Sequence, residues 1–139
     1  MRRRRLLQMF SVAVLIKLAF ADAATTVKPM QKKFKLRADQ IRELVRPMGG
    51  ALATDRITVD GLPVGYMYRE APDRPEDSGW RFFAGNEDQA YVDNLGNTSV
   101  YSVNTIANYD PDIIGYLETP APCAFEKVQG SHTYQPVER

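Results

Sequence analysis

The amino-acid sequence predicts a single α+β domain with a mostly antiparallel sheet, one main amphipathic helix and two short helices. Its 139 residues are the length of one ordinary domain. Its hydrophobic fraction of 44% and charged fraction of 25% are typical of a folded globular chain. The patterns follow the order helix, hairpin, strand, short helix, strand, short helix, strand, which favours the α+β class.

The first 29 residues do not fit this domain, and we interpret them as a leader, either a signal peptide or a mis-assigned start. Arg2 to Arg5 form a positive region, residues 6–20 an apolar stretch, and residues 21–23 a small-x-small cleavage signal. Lys17 interrupts the apolar stretch, at a cost to membrane insertion. Met30 is therefore the preferred start, which predicts a cytoplasmic protein. A working signal peptide over residues 1–23 predicts a periplasmic or secreted one.

The main helix is predicted over residues 41–48. Ile41, Leu44, Val45 and Met48 recur at i, i+3, i+4 and i+7, which places four apolar side chains on one helical face. Proline and paired glycines at positions 47, 49 and 50 are typical of a helix end. We expect this helix to pack on one face of the sheet.

A β-hairpin is predicted after the helix. The β-branched residues 57–59 lead into the two-residue turn signal Asp60-Gly61, and the chain returns through residues 64–68. Asp-Gly suits a hairpin turn because glycine adopts positive φ without steric cost.

The sequence patterns in the remainder of the domain predict three further strands and two short helices. The strands are expected near residues 80–83, 100–103 and 124–128, and the helices are expected to be capped by Asn86 and Asp110. The domain is expected over residues 30–128, with a flexible tail over 129–139. The predicted core comprises Ile41, Leu44, Val45, Ile57, Val64, Tyr66, Trp80, Phe82, Val103, Ile114 and Phe125.

The charge distribution argues against a nucleic-acid partner. Residues 1–46 hold 12 basic and three acidic groups, whereas residues 47–139 hold six basic and 14 acidic groups. Phosphate binding needs clustered lysine and arginine, which the main body lacks. No membrane partner is expected beyond the possible signal peptide, and a mildly acidic domain suits a basic protein.

The sequence offers little for catalysis, a metal or a cofactor. The single cysteine, Cys123, excludes an intrachain disulfide, and with one histidine, His132, no cysteine- and histidine-rich zinc site can form. His132 lies in the expected tail, where a general base is hard to hold. Asp110 and Asp112 suit helix capping better than cation binding. We therefore expect neither an enzyme nor a cofactor.

Two acidic loops around an aromatic strand are the candidate site. We expect the strand and its loops to form a partner-binding surface, in which an aromatic anchor is surrounded by carboxylates. Two alternatives remain open: a small hydrolase or ligand-binding protein using the loop carboxylates, and a structural role in which the tryptophan belongs to the core. The candidate partner-binding residues are Asp73, Glu76, Asp77, Trp80, Glu87 and Asp88.

Several long runs resemble a known bacterial family. The segments ATDRITVDGLPVGYMYRE, DSGWRFFAGNEDQAYVDN, NTIANYDPDIIGYLETP and AFEK are similar to a small domain assigned to family thirty-three of the immunity proteins of polymorphic toxin systems. The resemblance covers about residues 31–128. It implies a non-catalytic protein that binds a cognate toxin, and it supplies no catalytic residues to carry over.

Overall fold

The computed structural model describes residues 31–139. The predicted leader lies outside the described residues. The described chain is built around one six-stranded sheet. Its strands are β1 (Gly50–Thr54), β2 (Tyr66–Arg69), β3 (Asp77–Phe83), β4 (Thr98–Ser102), β5 (Cys123–Lys127) and β6 (Tyr134–Pro136).

The strands lie in the order β4-β1-β3-β2-β5-β6. Only β1 and β3 run parallel to each other, and every other neighbouring pair is antiparallel. Three short α-helices connect the strands: α1 (Asp55–Thr58), α2 (Gln89–Asp93) and α3 (Val103–Tyr109). Stretches of 3-10 turn occupy Ala38–Gln40, Leu95–Asn97 and Pro111–Tyr116. The predicted α+β class with a mostly antiparallel sheet is confirmed.

Both faces of the sheet are buried. Ala51, Met67, Trp80 and Phe82 project to one face, where α3 and the 3-10 turn Pro111–Tyr116 pack on them. A smaller cluster on the opposite face consists of Leu52, Tyr66, Tyr68, Phe83, Val92 and Ala124. Because successive side chains of a strand point to opposite faces, the central strands supply both clusters.

The predicted helix over residues 41–48 is wrong. This stretch is extended and lies along α3, where Asn104 Oδ1 accepts from the amides of Leu44 (2.7 Å) and Val45 (3.1 Å). Asn104 Nδ2 and Asn108 Nδ2 both donate to the carbonyl of Arg42 at 2.8 Å. Side chains some sixty residues away therefore satisfy backbone groups that a helix would have paired internally. Leu44, expected in the core, is 42% exposed.

The predicted hairpin is also wrong in its first strand. Ile57 and Thr58 belong to α1, and Gly61, at φ +77°, follows that helix instead of joining two strands. The amide of Gly61 donates to the carbonyl of Ile57 at 3.2 Å, the bond expected of a helix that ends in a left-handed glycine. The strand before α1 is β1, which sequence reasoning missed.

Other predictions fare better. Strands β3, β4 and β5 lie where aromatic and β-branched residues indicated them, and Asp110 caps the turn Pro111–Tyr116 by accepting from the amide of Asp112. The cap of α2 is Asp88, not Asn86. Of the predicted core, Ile57, Val64, Tyr66, Trp80, Phe82, Val103 and Phe125 are buried.

Residues 129–139 are not a loose tail. Strand β6 pairs with β5, and the side chain of Tyr134 is buried. Its hydroxyl donates to the carbonyl of Val64 at 2.7 Å and lies 3.3 Å from Asp110 Oδ2. Burial and the neighbouring Asp110 carboxylate raise the pKa of Tyr134. The last strand therefore completes the core beside the cap of Pro111–Tyr116.

Candidate partner-binding site

A bulge shapes the start of β3. Gly50 pairs with Asp77 and Leu52 with Arg81, so two residues of β1 are matched by four of β3. Gly79 has φ +86°, and a Cβ there would lie 2.1 Å from the carbonyl oxygen of Glu70. Glycine is therefore required on both conformational and steric grounds.

The bulge brings a buried ionic cluster together. Arg81 donates to both carboxylate oxygens of Asp77, at 2.9 and 2.8 Å, and through Nε to Glu70 Oε2 at 3.0 Å. All three side chains are buried. Burial acts to lower the pKa of Arg81, but the two carboxylates outweigh it and raise this pKa. The guanidinium therefore stays charged between two carboxylates.

The cluster fixes the two ends of an exposed loop. Glu70 immediately precedes residues 71–76 and Asp77 immediately follows them, so both ends of the loop are bound to one guanidinium. Every residue of 71–76 is exposed, including Asp73 and Glu76. Prolines at positions 72 and 75 restrict the backbone further. We call residues 71–76 the acidic loop.

Glu87 also stabilises the backbone through its carboxylate, at the other end of β3. Its carboxylate accepts from the amides of Ala84 and Gly85 at 2.9 and 2.8 Å, and from the hydroxyl of Thr54. The side chain is buried. This carboxylate closes the turn after β3 and ties it to the end of β1.

The aromatic residues of β3 belong to the core. Trp80 is fully buried, stacks on Phe82 with ring centroids 5.9 Å apart, and donates from Nε1 to the carbonyl of Leu117 at 3.1 Å. Phe83 is buried on the opposite face of the sheet. Full burial of Trp80, Phe82 and Phe83 meets one of the two conditions of the structural alternative; the other, a surface with no exposed apolar patch, is not met.

The six predicted site residues therefore separate into two groups. Asp77, Trp80 and Glu87 are buried and bonded within the chain, whereas Asp73, Glu76 and Asp88 are exposed. Asp88 caps α2, at the opposite end of β3 from the acidic loop. The whole of β3, Asp77–Phe83, lies between the two ends. The structure does not join the two loops into one patch.

An apolar groove beside the acidic loop was not predicted. It has a volume of about 460 Å³ and is lined by residues 46–50 and 100–104. The amide of Gly50 donates to the carbonyl of Glu76 at 2.7 Å, so the acidic loop adjoins the groove. The Arg46–Glu118 ion pair (2.8 Å) contributes an exposed charge pair at its border. The sequence predicts the end of a helix over residues 46–50, and a helix there would leave no such groove.

The described residues do not assemble a metal centre: no group of three histidine, cysteine or acidic side chains is positioned for one between residues 31 and 139. Cys123 is partly buried, and desolvation raises the pKa of its thiol, the opposite of what a nucleophile needs. His132 Nδ1 instead lies 2.8 Å from Asp112 Oδ2.

Over the same residues, no helix has the length and apolarity needed to cross a membrane.

The fold is that of a small α+β domain whose most distinctive motif stabilises the structure, with an exposed loop and an apolar groove on its surface. A family model described as "Immunity protein Imm33 domain" matches residues 51–138, and the chain belongs to this family. No curated protein and no solved structure matches the chain significantly. The family resemblance inferred from the sequence is confirmed.

Proposed function

We propose that this protein neutralises a cognate bacterial toxin by binding it directly, without catalysing a reaction. Membership of the Imm33 immunity family carries this proposal, because an immunity protein acts on a toxin partner. The buried ionic cluster supports it, since it presents a short exposed loop in a fixed position. A loop held in its binding conformation loses less entropy on association.

The acidic loop is the proposed contact for a basic surface of the toxin. Asp73 and Glu76 are exposed there. The described part of the domain from residue 47 onward holds 14 acidic and six basic groups. Opposite charge of this kind steers association and selects partners more than it adds affinity.

The hydrolase alternative gains no support from the geometry. Its candidate carboxylate Asp77 is bonded to a guanidinium, and Asp110 Oδ2 accepts from the amide of Val64 at 2.9 Å. Both carboxylates are therefore occupied by contacts within the chain, whereas glycoside hydrolysis needs two carboxylic groups that face the substrate.

Co-expression tests the proposal. The protein encoded beside this gene is produced in a bacterial host with the wild-type chain, with Glu76→Lys, or with the matched control Asp60→Lys, another exposed acidic position. We expect wild type and Asp60→Lys to restore growth and to capture the neighbouring protein in a pull-down. Glu76→Lys should weaken capture about tenfold, since it reverses a contact charge.

Two results would refute parts of this proposal separately. If the wild-type chain neither captures the neighbouring protein nor restores growth, toxin neutralisation is wrong. If Glu76→Lys and Asp73→Lys behave like wild type, the toxin does not bind at the acidic loop.

The cellular compartment is a separate proposal. A chain that starts at Met30 meets its toxin in the cytoplasm, and a processed leader places the encounter in the periplasm. N-terminal sequencing of the native protein distinguishes these two possibilities.

A further inference from the structure

We infer that the toxin partner docks an extended segment along the outer edge of β4 and inserts an apolar side chain into the adjoining groove. This inference rests on the proposed function, because it identifies where and how the partner binds. Strand addition to a sheet edge is a general mode of peptide recognition.

The hydrogen-bond directions show that β4 offers a backbone edge. Gly50 N donates to the carbonyl of Glu76, and Gly50 O accepts from the hydroxyl of Ser78 at 2.6 Å, so both groups point toward β3. The carbonyl of Gly49 accepts from Val103 N on the β4 side. Because these directions alternate along a strand, the backbone N–H and C=O groups of Ala51 and Ala53 point toward β4.

The register transfers this alternation to β4. Ala51 pairs with Tyr101 and Ala53 with Ser99, so these two residues of β4 bond to β1. Val100 lies between them, so its backbone N–H and C=O point away from β1, toward the open side of β4. Among the described residues, neither group has a backbone partner, and the side chain of Val100 is 44% exposed.

Among the described residues, strand β4 itself carries none of the features that usually protect a sheet edge; the charge beside it belongs to Lys32, whose Nζ donates to Ser99 Oγ at 2.8 Å and to Asp55 Oδ1 at 2.7 Å. Exposed edge strands are normally blunted by charged residues, proline or a bulge. Strand β4 reads TSVYS, with neither a charge nor a proline, and its register with β1 is continuous over five residues. By contrast β6, the opposite edge, is three residues long and ends in Pro136. The β4 edge is therefore the one suited to accept another strand.

Continuity with the acidic loop selects the occupant. The groove shares residues 100–102 with β4 and Gly49–Gly50 with the segment bonded to Glu76. A toxin segment lying along β4 thus places one side chain in the groove, at the end of the sheet where Gly50 is bonded to the acidic loop. The chemistry expected of the partner is an extended segment with an apolar residue, on a protein with a basic surface.

A proline substitution tests this mode of binding. Val100→Pro removes the outward N–H without removing a bond to β1, and an edge strand tolerates proline at such a position. Val100→Ile, the matched control, keeps the N–H and an apolar side chain. Binding of each full-length variant to the protein encoded beside this gene is measured by titration. Thermal unfolding verifies that both variants fold.

We expect Val100→Pro to bind at least about tenfold more weakly than wild type, with Val100→Ile within about threefold. Amide exchange of Val100 and Ser102 in the wild-type chain should slow in the complex. If Val100→Pro binds as wild type and these amides exchange unchanged, strand addition is refuted while toxin binding stands. A wild-type dimer that Val100→Pro converts to a monomer would assign the edge to a second copy of this chain, and overturn the inference. If the wild-type chain does not bind at all, both proposals fail.

Discussion

Arg81 binds both carboxylate oxygens of Asp77, four residues earlier on the same strand, with both side chains buried. In a regular strand such residues lie about 13 Å apart, at roughly 3.3 Å per residue. The bulge at Gly79 closes that separation. The DSGWR segment therefore stabilises the fold. It forms the bulge, places the tryptophan in the core and fixes both ends of the acidic loop.

Removing the guanidinium should strongly destabilise the protein. Arg81→Ala takes the positive charge from between Asp77 and Glu70, and breaking a buried ion pair costs about 3–5 kcal/mol. Urea unfolding measures the free energy. The control is Glu118→Ala, which removes the exposed partner of Arg46 and should change stability by less than about 1 kcal/mol. Equal effects of the two substitutions would show that the cluster does not stabilise the fold.

The glycine of the bulge should be irreplaceable. Gly79→Ala introduces a Cβ that would meet the Glu70 carbonyl in a left-handed backbone conformation, which alone costs about 1–3 kcal/mol. Gly115→Ala is the matched control, because a Cβ at Gly115 has no neighbour within 4 Å among the described residues. We expect Gly79→Ala to unfold at much lower urea concentration and Gly115→Ala to remain near wild type. A normal midpoint for Gly79→Ala would contradict the bulge geometry.

The strands whose own residues have strong strand preference could be predicted from the sequence. The strand and the extended segment that depend on contacts with distant residues could not. Strand β5 and the aromatic part of β3 consist of residues with strong strand preference. Strand β1, read as GALAT, has little such signal, yet it is buried between β3 and β4. Residues 41–48 have a helical period, but Asn104, from another part of the chain, holds them extended.

The candidate site was predictable only in part, for a related reason. The exposed acidic loop followed from its prolines and charges. The predicted core included Trp80 and Phe82, but the burial of Arg81 and Phe83 on the opposite face could not be deduced, because alternation along a strand does not show that both of its faces are covered. That Asp77 and Glu87 close backbone turns depends on three-dimensional contacts of Gly79 and Gly85. The groove could not be predicted without knowing that residues 46–50 lie beside β4.

The contact between Asn104 and the extended segment gives a third prediction. Asn104→Ala removes the acceptor of two amides and a donor to the Arg42 carbonyl, so amide exchange at Leu44 and Val45 should accelerate about tenfold or more. Asn104→Asp keeps an acceptor oxygen and loses only the donor, so these two amides should remain protected. Exchange measured by NMR compares the variants. Unchanged protection in Asn104→Ala would show that the asparagine does not hold this segment.

Asp112 should make stability depend on pH in the acid range. Hydrogen bonding from His132, aided by Lys127, lowers the pKa of Asp112 below its ordinary 3.8. A carboxyl with a lower pKa in the folded state than in the unfolded one stabilises the fold above the unfolded pKa, and this contribution disappears as pH falls through the folded pKa. Asp112→Asn should therefore be less stable than wild type near pH 7, with the difference shrinking below about pH 4. Urea midpoints at pH 7, 5, 4, 3 and 2 measure it, and His132→Ala should reduce the same difference. A gap between wild type and Asp112→Asn that persists unchanged to pH 2 would show that the charge on this carboxylate is not what stabilises the contact.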